Sequence, residues 1–316
     1  MVIEAPAAGA VPTASLVLGN TKHRSRIRQS RGERIFGVVN VVILLLAVAI
    51  TLFPFVNVVA QSLSSEKYID FGLVSVWPRG WDVSTYGLVL KDPTFWINYR
   101  NTVVYTVVST AVSMVLSTMF AYAVSRPELK GRKFFIGMAI VTMLYSGGII
   151  PTYIVVNKLN LTDTIWAIAL PGAISVFNVL VMKSFFENLP DELLEAAQID
   201  GLNTYGILLR IVLPLSKAVM ATMILIYAVG QWNSWFPAFL YMDHSDLYPV
   251  TVYLRNLIAG ATGAQDAGAS ADGNLTQIGA NIKSVTMVLI VIPILFVYPF
   301  IQRYFVTGIM LGSVKG

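Results

Sequence analysis

The chain has 316 residues, of which 56% are hydrophobic and 12% charged, and its formal net charge is +5 at pH 7. The charged fraction is about half of what soluble globular domains carry, which argues against a soluble protein and favours lipid as the main solvent. The sequence contains no cysteine, so disulfide frameworks, thiolate nucleophiles, zinc ribbons and iron–sulfur clusters are excluded.

Six stretches of the chain lack Asp, Glu, Lys, Arg and His and are long enough to cross a bilayer, for which a helix needs about 20 mostly apolar residues. Because backbone polar groups cannot stay unpaired in lipid, stretches of this length predict helices. We therefore expect an all-α, polytopic membrane protein with six transmembrane helices within residues 35–307. The predicted spans are 35–60, 101–125, 134–157, 164–182, 218–242 and 284–302.

The chain begins with a polar arm, residues 1–34. Its first part, to about Asn20, is rich in Ala, Pro, Gly and Val without a helical stripe or cap, and we expect it to be disordered. The apolar stretch that follows is too long for the hydrophobic region of a cleaved signal peptide, so we expect the N-terminus to be retained.

Basic residues predict the orientation of the spans. With six spans, 15 of the 22 Lys and Arg residues fall on one side of the membrane, in the arm, in the connections after the second and fourth spans, and in the tail. Connections rich in Lys and Arg face the cytoplasm, so we expect both termini there. The same bias explains the positive net charge without a nucleic-acid partner.

Two longer connections are predicted on the opposite side. Residues 61–99 carry Trp77, Trp81 and Trp96, and we expect this segment at the membrane interface, where Trp is favoured. Residues 259–279 are rich in Gly, Ala, Asp and Thr, a composition typical of a flexible loop.

The connection between the fourth and fifth spans contains a well-delimited short helix. Pro190 fits its first turn, Asp191 and Glu192 complement the positive end of the helix dipole, and Gly201 ends it. A second helical stretch is expected over about 204–214.

This helix permits two interpretations. Ala196 and Ala197 are small enough to let the surface of another protein come close, and Glu195 offers one charge for a fixed pairing, so the helix is suited to transmit force from a partner. Helix signals alone favour a capped surface helix that merely connects two spans, because capping says nothing about partners.

The same connection carries a longer pattern with a fixed spacing. It reads Glu195-Ala196-Ala197, three residues, Gly201, nine residues, and Ile211-Val212-Leu213-Pro214. This pattern, within about residues 188–214, resembles the EAA loop of binding-protein-dependent ABC importer permeases. In that family the loop is the coupling helix that docks in a groove of the ATP-hydrolysing subunit. The resemblance implies this role for Glu195, Ala196, Ala197, Asp200, Gly201, Leu213 and Pro214.

The resemblance extends to the six spans, the polar arm and the tail 306–316, and it is to the carbohydrate-uptake, maltose-permease-like branch. It implies a subunit of the bacterial inner membrane that works with an ATPase dimer, a second, different permease, an extracytoplasmic binding protein and a sugar or oligosaccharide cargo. It also implies that ATP and magnesium act on the ATPase and that this chain holds no cofactor. Residues 145–153 and 227–236 are similar to the subgroup that serves complex and uronate-containing oligosaccharides, including alginate.

The tail, residues 308–316, is expected in the cytoplasm. The resemblance implies a path between the two ATPase subunits, and the glycines at every fourth position suit a narrow gap. A frayed terminus explains the same residues equally well.

Polar and aromatic side chains within the spans indicate where cargo passes, because polar groups at membrane depth usually face a bundle interior or a water-filled cavity. The candidates are Tyr145 and Ser146 in the third span, Asn178 in the fourth, and Tyr227, Gln231, Trp232, Asn233 and Trp235 in the fifth. The competing interpretation places Trp232 and Trp235 in the interfacial aromatic belt and has Asn233 bond a neighbouring helix.

A kink is predicted in the third span, where Gly147 and Gly148 are followed by Pro151. Close helix packing explains these glycines more simply than a gate hinge does.

The sequence lacks the residues that several classes of activity require. No Gly-x-x-x-x-Gly-Lys-Ser/Thr loop occurs in the sequence, so ATP hydrolysis requires a separate chain. With only His23 and His244, both in polar segments, we expect no metal site, no Ser/His/Asp hydrolase and no enzymatic activity. The remaining alternatives are an ion-coupled secondary sugar carrier and an intramembrane hydrolase. The carrier normally needs a buried Asp, Glu or His as its ion relay, and the hydrolase needs a catalytic dyad or metal ligands. The predicted spans contain neither.

Overall fold

The computed structural model describes residues 31–266 and 281–296. All regular elements in these ranges are helices, apart from one isolated β-bridge between Ser64 and Trp81. The all-α prediction is confirmed. The expected tail 308–316 and most of the expected arm 1–34 lie outside the described residues, and the first helix already begins at Arg31.

The helices are named α1 to α15 in chain order. Their bounds are α1 Arg31–Ser62, α2 Glu66–Asp70, α3 Ser84–Lys91, α4 Pro93–Ser125, α5 Arg132–Leu144, α6 Ile149–Lys158, α7 Ile165–Ala169, α8 Val176–Glu187, α9 Asp191–Ile199, α10 Thr204–Ile207, α11 Leu213–Leu215, α12 Lys217–Trp232, α13 Phe236–Tyr241, α14 Val250–Asp266 and α15 Asn281–Phe296. A π-helical turn, Leu208–Val212, joins α10 to α11, and a 3-10 turn, Ser245–Leu247, precedes α14.

The chain divides into two compact units after Leu52. Within the described residues, the first unit is the N-terminal part of α1. The most apolar window of α1 has a mean hydropathy of 2.9, and none of that window is buried. A helix that is apolar on all sides without a protein core around it has lipid as its environment.

Helix α4 is the central element of the second unit. It has 33 residues, which is roughly 50 Å at 1.5 Å per residue, and it packs on α7, α8 and α12. At one end, the Asn101 end, the Asn101 side chain donates to the Asp246 carbonyl at 2.6 Å. At the other, the Tyr122 end, the Tyr122 ring meets the Phe186 ring edge-on at 6.4 Å between centroids. The two ends are roughly 30 Å apart along the helix axis.

The helices support a multi-pass membrane protein. By length and composition α1 and α4 each qualify as crossings, and there are up to four crossings in the described part of the chain if each of two strongly bent pairs forms one. The six-span count is therefore not reached within residues 31–266 and 281–296. The bent pairs are α5 with α6, at 114°, and residues Thr204–Leu215 with α12, at 86°.

Three predicted spans are not straight helices. The kink predicted in the third is confirmed: the chain turns between α5 and α6, where Gly148 has a φ of +86°, a conformation that favours glycine. The predictions of continuous helices over 164–182 and 218–242 are wrong. The first breaks between α7 and α8, where Pro171 and Gly172 lie, and the second breaks before α13, whose first turn holds Pro237.

The predicted ends of two other segments also change. Helix α14 runs to Asp266, so the loop expected from residue 259 is helical up to that point, and residues 267–279 lie outside the described ranges. Helix α15 ends at Phe296, and residues 297–302 of the predicted sixth span lie outside them as well. In the segment 61–99, Trp77 and Trp81 are 80% and 72% exposed.

An apolar core at the Tyr122 end joins five helices, α4, α8, α9, α10 and α12, and the π-helical turn. Met182 and Phe186 of α8 are fully buried and lie between Tyr122 of α4 and Met223 of α12 in one cluster of buried side chains. The same cluster includes Leu194 of α9, so the core extends from the long helices into the short one.

Replacing Phe186 by alanine should test this core. The ring is fully buried, so its loss leaves a cavity and should destabilise the fold by about 3–5 kcal/mol. Phe177→Ala on the same helix is the matched control, because that ring is 60% exposed. Thermal melting of the purified protein in detergent should show a clearly lower midpoint for Phe186→Ala only. Equal shifts for both variants would contradict the assignment of the core.

Candidate functional site

Helix α9 begins and ends with local signals. Asp191 and Glu192 occupy its first turn, directly after Pro190, and complement the positive end of the helix dipole. Past its end, Gly201 has a φ of +80°, and the Leu202 amide donates to the Ala197 carbonyl at 3.0 Å. These contacts close the C-terminal turn, so the predicted stop at Gly201 is confirmed.

One face of α9 is packed into the core. Leu194 is 6% exposed and Ala197 is 4% exposed, and both belong to the cluster that contains Phe186 and Val212. The small Ala197 side chain lets the α9 backbone approach this core closely. Ala197 therefore packs within this chain, whereas Ala196 is exposed, and the role predicted for the two alanines stays a prediction.

The opposite face of α9 is open. Glu192, Glu195 and Ile199 are exposed and follow a spacing of three and four residues, which places them on one side of the helix. Ile199 is 86% exposed. Ala196 and Asp200 are exposed beside this face. We call Glu192, Glu195, Ala196, Ile199 and Asp200 the outer α9 face.

The second half of the connection forms a rigid corner. The Asn203 side chain caps α10 by accepting from the Gly206 amide at 2.8 Å, and the π-helical turn follows directly. Leu213 is partly buried against the core, whereas Pro214 is exposed. The chain then bends by 86° into α12. The predicted helical stretch over 204–214 is thus present, with a π turn in its middle.

Basic residues hold the loop after α4 beside this connection. Arg126 donates to the Phe186 carbonyl at 3.1 Å, and its guanidinium lies 5.0 Å from the Tyr122 ring centroid. Glu187 forms ion pairs with Arg132 and with Lys183. The contacts fix the end of α8 directly before α9.

A cavity of about 500 Å³ lies between α7, α8, α12 and α13. It brings together Asn178, Tyr227 and Gln231, three of the side chains singled out in the sequence. Its wall also includes Ser175 and Ser234, which the sequence did not single out. Hydroxyl and amide groups in a partly apolar wall are suited to a polar organic molecule.

Tyr227 connects the cavity to α4. Its hydroxyl lies 2.7 Å from the Ser117 hydroxyl and accepts from the Ser175 amide at 3.2 Å. Because Ser117 belongs to α4 and Ser175 precedes α8, one phenol links three helices. Tyr227 is only 7% exposed, so its main contribution to the cavity wall is to hold Ser117 and Ser175 in place through these hydrogen bonds.

A smaller cavity of about 240 Å³ borders the larger one. Ser146 and Gly148 line it on one side, and Pro237 and Tyr241 line both cavities. Tyr145 does not line either cavity and is 78% exposed.

The other three candidates of the fifth span lie elsewhere. Trp232 donates from Nε1 to the Ile290 carbonyl at 3.2 Å, and its ring meets Tyr99 edge-on. Asn233 donates to the Val229 carbonyl at 2.9 Å within its own turn. Trp235 contacts the Arg255 guanidinium. None of the three lines the two cavities, so packing accounts for their contacts in this structure.

The cavities coincide with the breaks in the predicted spans. Residues 146 and 148 lie in the break between α5 and α6, residues 171, 172 and 175 in the break before α8, and residue 234 in the break after α12. In transport proteins, unwound backbone at membrane depth borders binding sites. Prolines and glycines in the sequence mark these breaks. Searching for polar residues close to them would have identified Ser175 and Ser234 as candidates.

No metal centre is present in the part of the chain that the structure describes, where no group of three His, Asp or Glu residues is placed to hold an ion. The site consists of a helix with an open face and a cavity whose largely apolar wall carries several hydroxyl and amide groups.

The sequence is similar to those of known transport proteins. The chain is 38% identical over 291 residues to the polygalacturonan/rhamnogalacturonan transport system permease protein YtcP of Bacillus subtilis, covering 90% of this chain and 99% of that protein. It is 39% identical over 290 residues to Protein LplC of the same organism, covering 92% and 98% of the two chains.

A solved structure agrees with these relatives. One chain of a bacterial ABC transporter involved in the import of the acidic polysaccharide alginate superposes with a TM-score of 0.78 at 32% identity, covering 88% of this chain and 99% of that chain. The sequence model of the binding-protein-dependent transport system inner membrane components matches residues 87–310. This protein therefore belongs to the family of binding-protein-dependent transport system inner membrane components.

Proposed function

We propose that this chain is the translocation subunit of an ATP-driven importer of oligosaccharides, with acidic oligosaccharides as the favoured cargo. The observation that carries the proposal is α9, which has an open face on one side and a continuous core with the long helices on the other. The named cargo of the Bacillus relative YtcP and the alginate importer of known structure support an acidic sugar.

The outer α9 face is the docking surface for a separate ATPase. It combines three carboxylates with the exposed Ile199, a mixture of charge and apolar surface that suits a groove in a partner. Leu193 and Tyr205, which are 46% and 68% exposed, extend the apolar part of this surface. The sequence pattern did not single out Leu193, Ile199 or Tyr205.

Movement of α9 reaches the cavity through packed side chains. Leu194 and Ala197 share a core with Met223 and Tyr227 of α12, and Tyr227 holds Ser117 and Ser175 at the cavity. ATP closes the ATPase pair, α9 moves with it, and the helices reorient so that the cavity opens to alternate sides. ATP and magnesium are bound by the ATPase, and this chain performs no catalysis.

The α9 end of the bundle faces the cytoplasm, as do both termini. Basic residues concentrate there, with Arg126, Arg132 and Lys183 around the end of α8. The Asn101 end then faces the extracytoplasmic side and receives cargo from a binding protein. A second permease completes the pathway, and two ATPase subunits drive it.

Reversing the charge of Glu195 should uncouple the importer. Glu195→Lys places a cation on the outer α9 face, and a like charge or a lost pairing in a docked interface costs several kcal/mol. Cargo-stimulated ATP hydrolysis by the reconstituted complex should fall about tenfold or more, while membrane insertion is unchanged. Glu195→Asp, which keeps the carboxylate at the same position, is the control and should retain most of the stimulation. Full stimulation with Glu195→Lys would refute the docking surface.

Removing one amide from the cavity should weaken transport without affecting assembly. Gln231→Leu leaves a cargo hydroxyl without its partner, which costs about 1–3 kcal/mol and should raise the KM of uptake by about tenfold. Asn233→Leu removes an amide two residues away that does not line the cavity, and its uptake should match the unmodified protein. Equal effects of both changes on uptake kinetics would argue against the cavity as the cargo site.

A further inference from the structure

A third cavity, of about 490 Å³, lies at the Tyr122 end between α4, the loop that follows it, α9 and α10. Its volume is within the range of pockets that hold organic molecules, roughly 300–1,000 Å³. It shares no lining residue with the two cavities of the proposed cargo path. The passage of cargo therefore does not explain it.

The wall of the third cavity changes from apolar to charged along α4. Met119 and Ala123, one turn apart, contribute apolar surface, and Leu208 of the π-helical turn adds to it. Arg126 and Glu128, which follow the last residue of α4, bring one positive and one negative charge. Met119 lies roughly 10 Å before Arg126 along the helix axis. The cavity thus has an apolar part beside the last turns of α4 and a charged part at its end.

This change of polarity falls at the membrane boundary. Val107, Val115 and Met119 of α4 are 62%, 57% and 48% exposed, and exposed apolar side chains on a membrane-spanning helix contact lipid or another membrane subunit. The segment Thr204–Leu215 meets α12 at 86°, so beside a crossing α12 it lies roughly along the membrane plane. Its Leu209 is 63% exposed, as is typical of a helix at the level of the lipid headgroups. The third cavity therefore lies where headgroups meet acyl chains.

Both charges of the cavity are available to a ligand. Arg126 donates from Nε to the Ser125 hydroxyl at 3.2 Å and from Nη2 to the Phe186 carbonyl at 3.1 Å, while its Nη1 has no partner among the described residues. Glu128 is exposed and forms no ion pair within the described ranges. A guanidinium that is already held in place binds phosphate oxygens with little loss of side-chain freedom, and a carboxylate binds an ammonium group. The Thr204 hydroxyl lines the same cavity and can donate to a phosphate as well.

We propose that the third cavity binds a phospholipid with an amine headgroup, of the phosphatidylethanolamine type, from the leaflet at the Tyr122 end. Arg126 binds the phosphate, Glu128 binds the ammonium group, and part of an acyl chain lies against Met119 and Ala123. One charge of each sign is complementary to a zwitterionic headgroup, whereas an anionic headgroup leaves Glu128 without a partner. The competing occupant is a side chain of the docked ATPase, because Tyr205 of the proposed docking surface also lines the cavity.

Photo-crosslinking of the complete complex in detergent micelles tests this assignment. The probes are phosphatidylethanolamine and phosphatidylglycerol, each with a diazirine in one acyl chain, and mass spectrometry of peptides measures the labelling of residues 119–129 and 204–208. The ethanolamine lipid should label these residues about tenfold more than the glycerol lipid at equal concentration. Glu128→Gln should abolish this preference, the change expected when one ion pair is lost. Glu66→Gln, which removes an exposed carboxylate outside the cavity, should preserve it.

Two further variants separate a lipid from the ATPase as the occupant. Ala123→Phe fills the apolar part of the cavity and should reduce labelling by the ethanolamine lipid about tenfold, with the ATPase still bound. Ala111→Phe, at an exposed position of α4 outside the cavity, should change neither labelling nor assembly. Loss of the ATPase from the Ala123→Phe complex with undiminished labelling would overturn the inference, because the ATPase would then occupy the cavity. Equal labelling of the unmodified complex by both lipids, or equal effects of Glu128→Gln and Glu66→Gln, would overturn it as well.

Discussion

The rest of the structure depends on the packing of Leu194 and Ala197 of α9 against the core of the long helices. A helix of nine residues is not stable by itself in water, so tertiary contacts must hold it. Truncating a buried leucine typically costs about 2–5 kcal/mol, which is enough to fix such a short element. Because the same cluster includes Phe186 and Met223, α9 shares one core with α8 and α12.

Around this core the long helices approach each other through small hydroxylated residues. Ser109 and Ser113 of α4 are fully buried, and their hydroxyls have no partner among the described residues. Small side chains allow close helix contact in membranes, where packing replaces the hydrophobic effect as the driving force. Ser117, one turn further along α4, has a partner: its hydroxyl lies 2.7 Å from the Tyr227 hydroxyl, and Tyr227 lines the larger cavity.

The sequence predicts best what is encoded locally. The start of α9 at Asp191 and its end at Gly201 follow from the helix dipole and a left-handed residue, and both are confirmed. The face that α9 buries is not local information: Leu193 and Ile199 are as apolar as Leu194, yet they are exposed. Only the position of the neighbouring helices decides between the two faces.

The absence of charged residues from a segment predicts that it lies in the membrane, but it does not predict that the segment forms one continuous helix. Residues 164–182 and 218–242 are uncharged throughout, yet Pro171 and Pro237 mark places where they are interrupted. For the cargo candidates, Gln231 lines the cavity while the adjacent Trp232 does not, because neighbouring positions on a helix point about 100° apart. Composition therefore predicts which segment borders the cavity, whereas the rotation of the helix about its axis determines which of its residues line it.

The interrupted helices have a consequence for solvent. Each break leaves backbone carbonyl and amide groups outside the helical ladder, and bare hydrocarbon would make them costly by several kcal/mol apiece. Some of these groups find partners within the chain, since the Ser175 amide donates to the Tyr227 hydroxyl and the Ser234 carbonyl accepts from Thr251. The other backbone groups of the breaks at 146–148, 170–175 and 234 border the two cavities, where water can reach them. A cavity bordered by such groups suits water or a hydroxylated sugar better than lipid tails, which offer no hydrogen-bond partner.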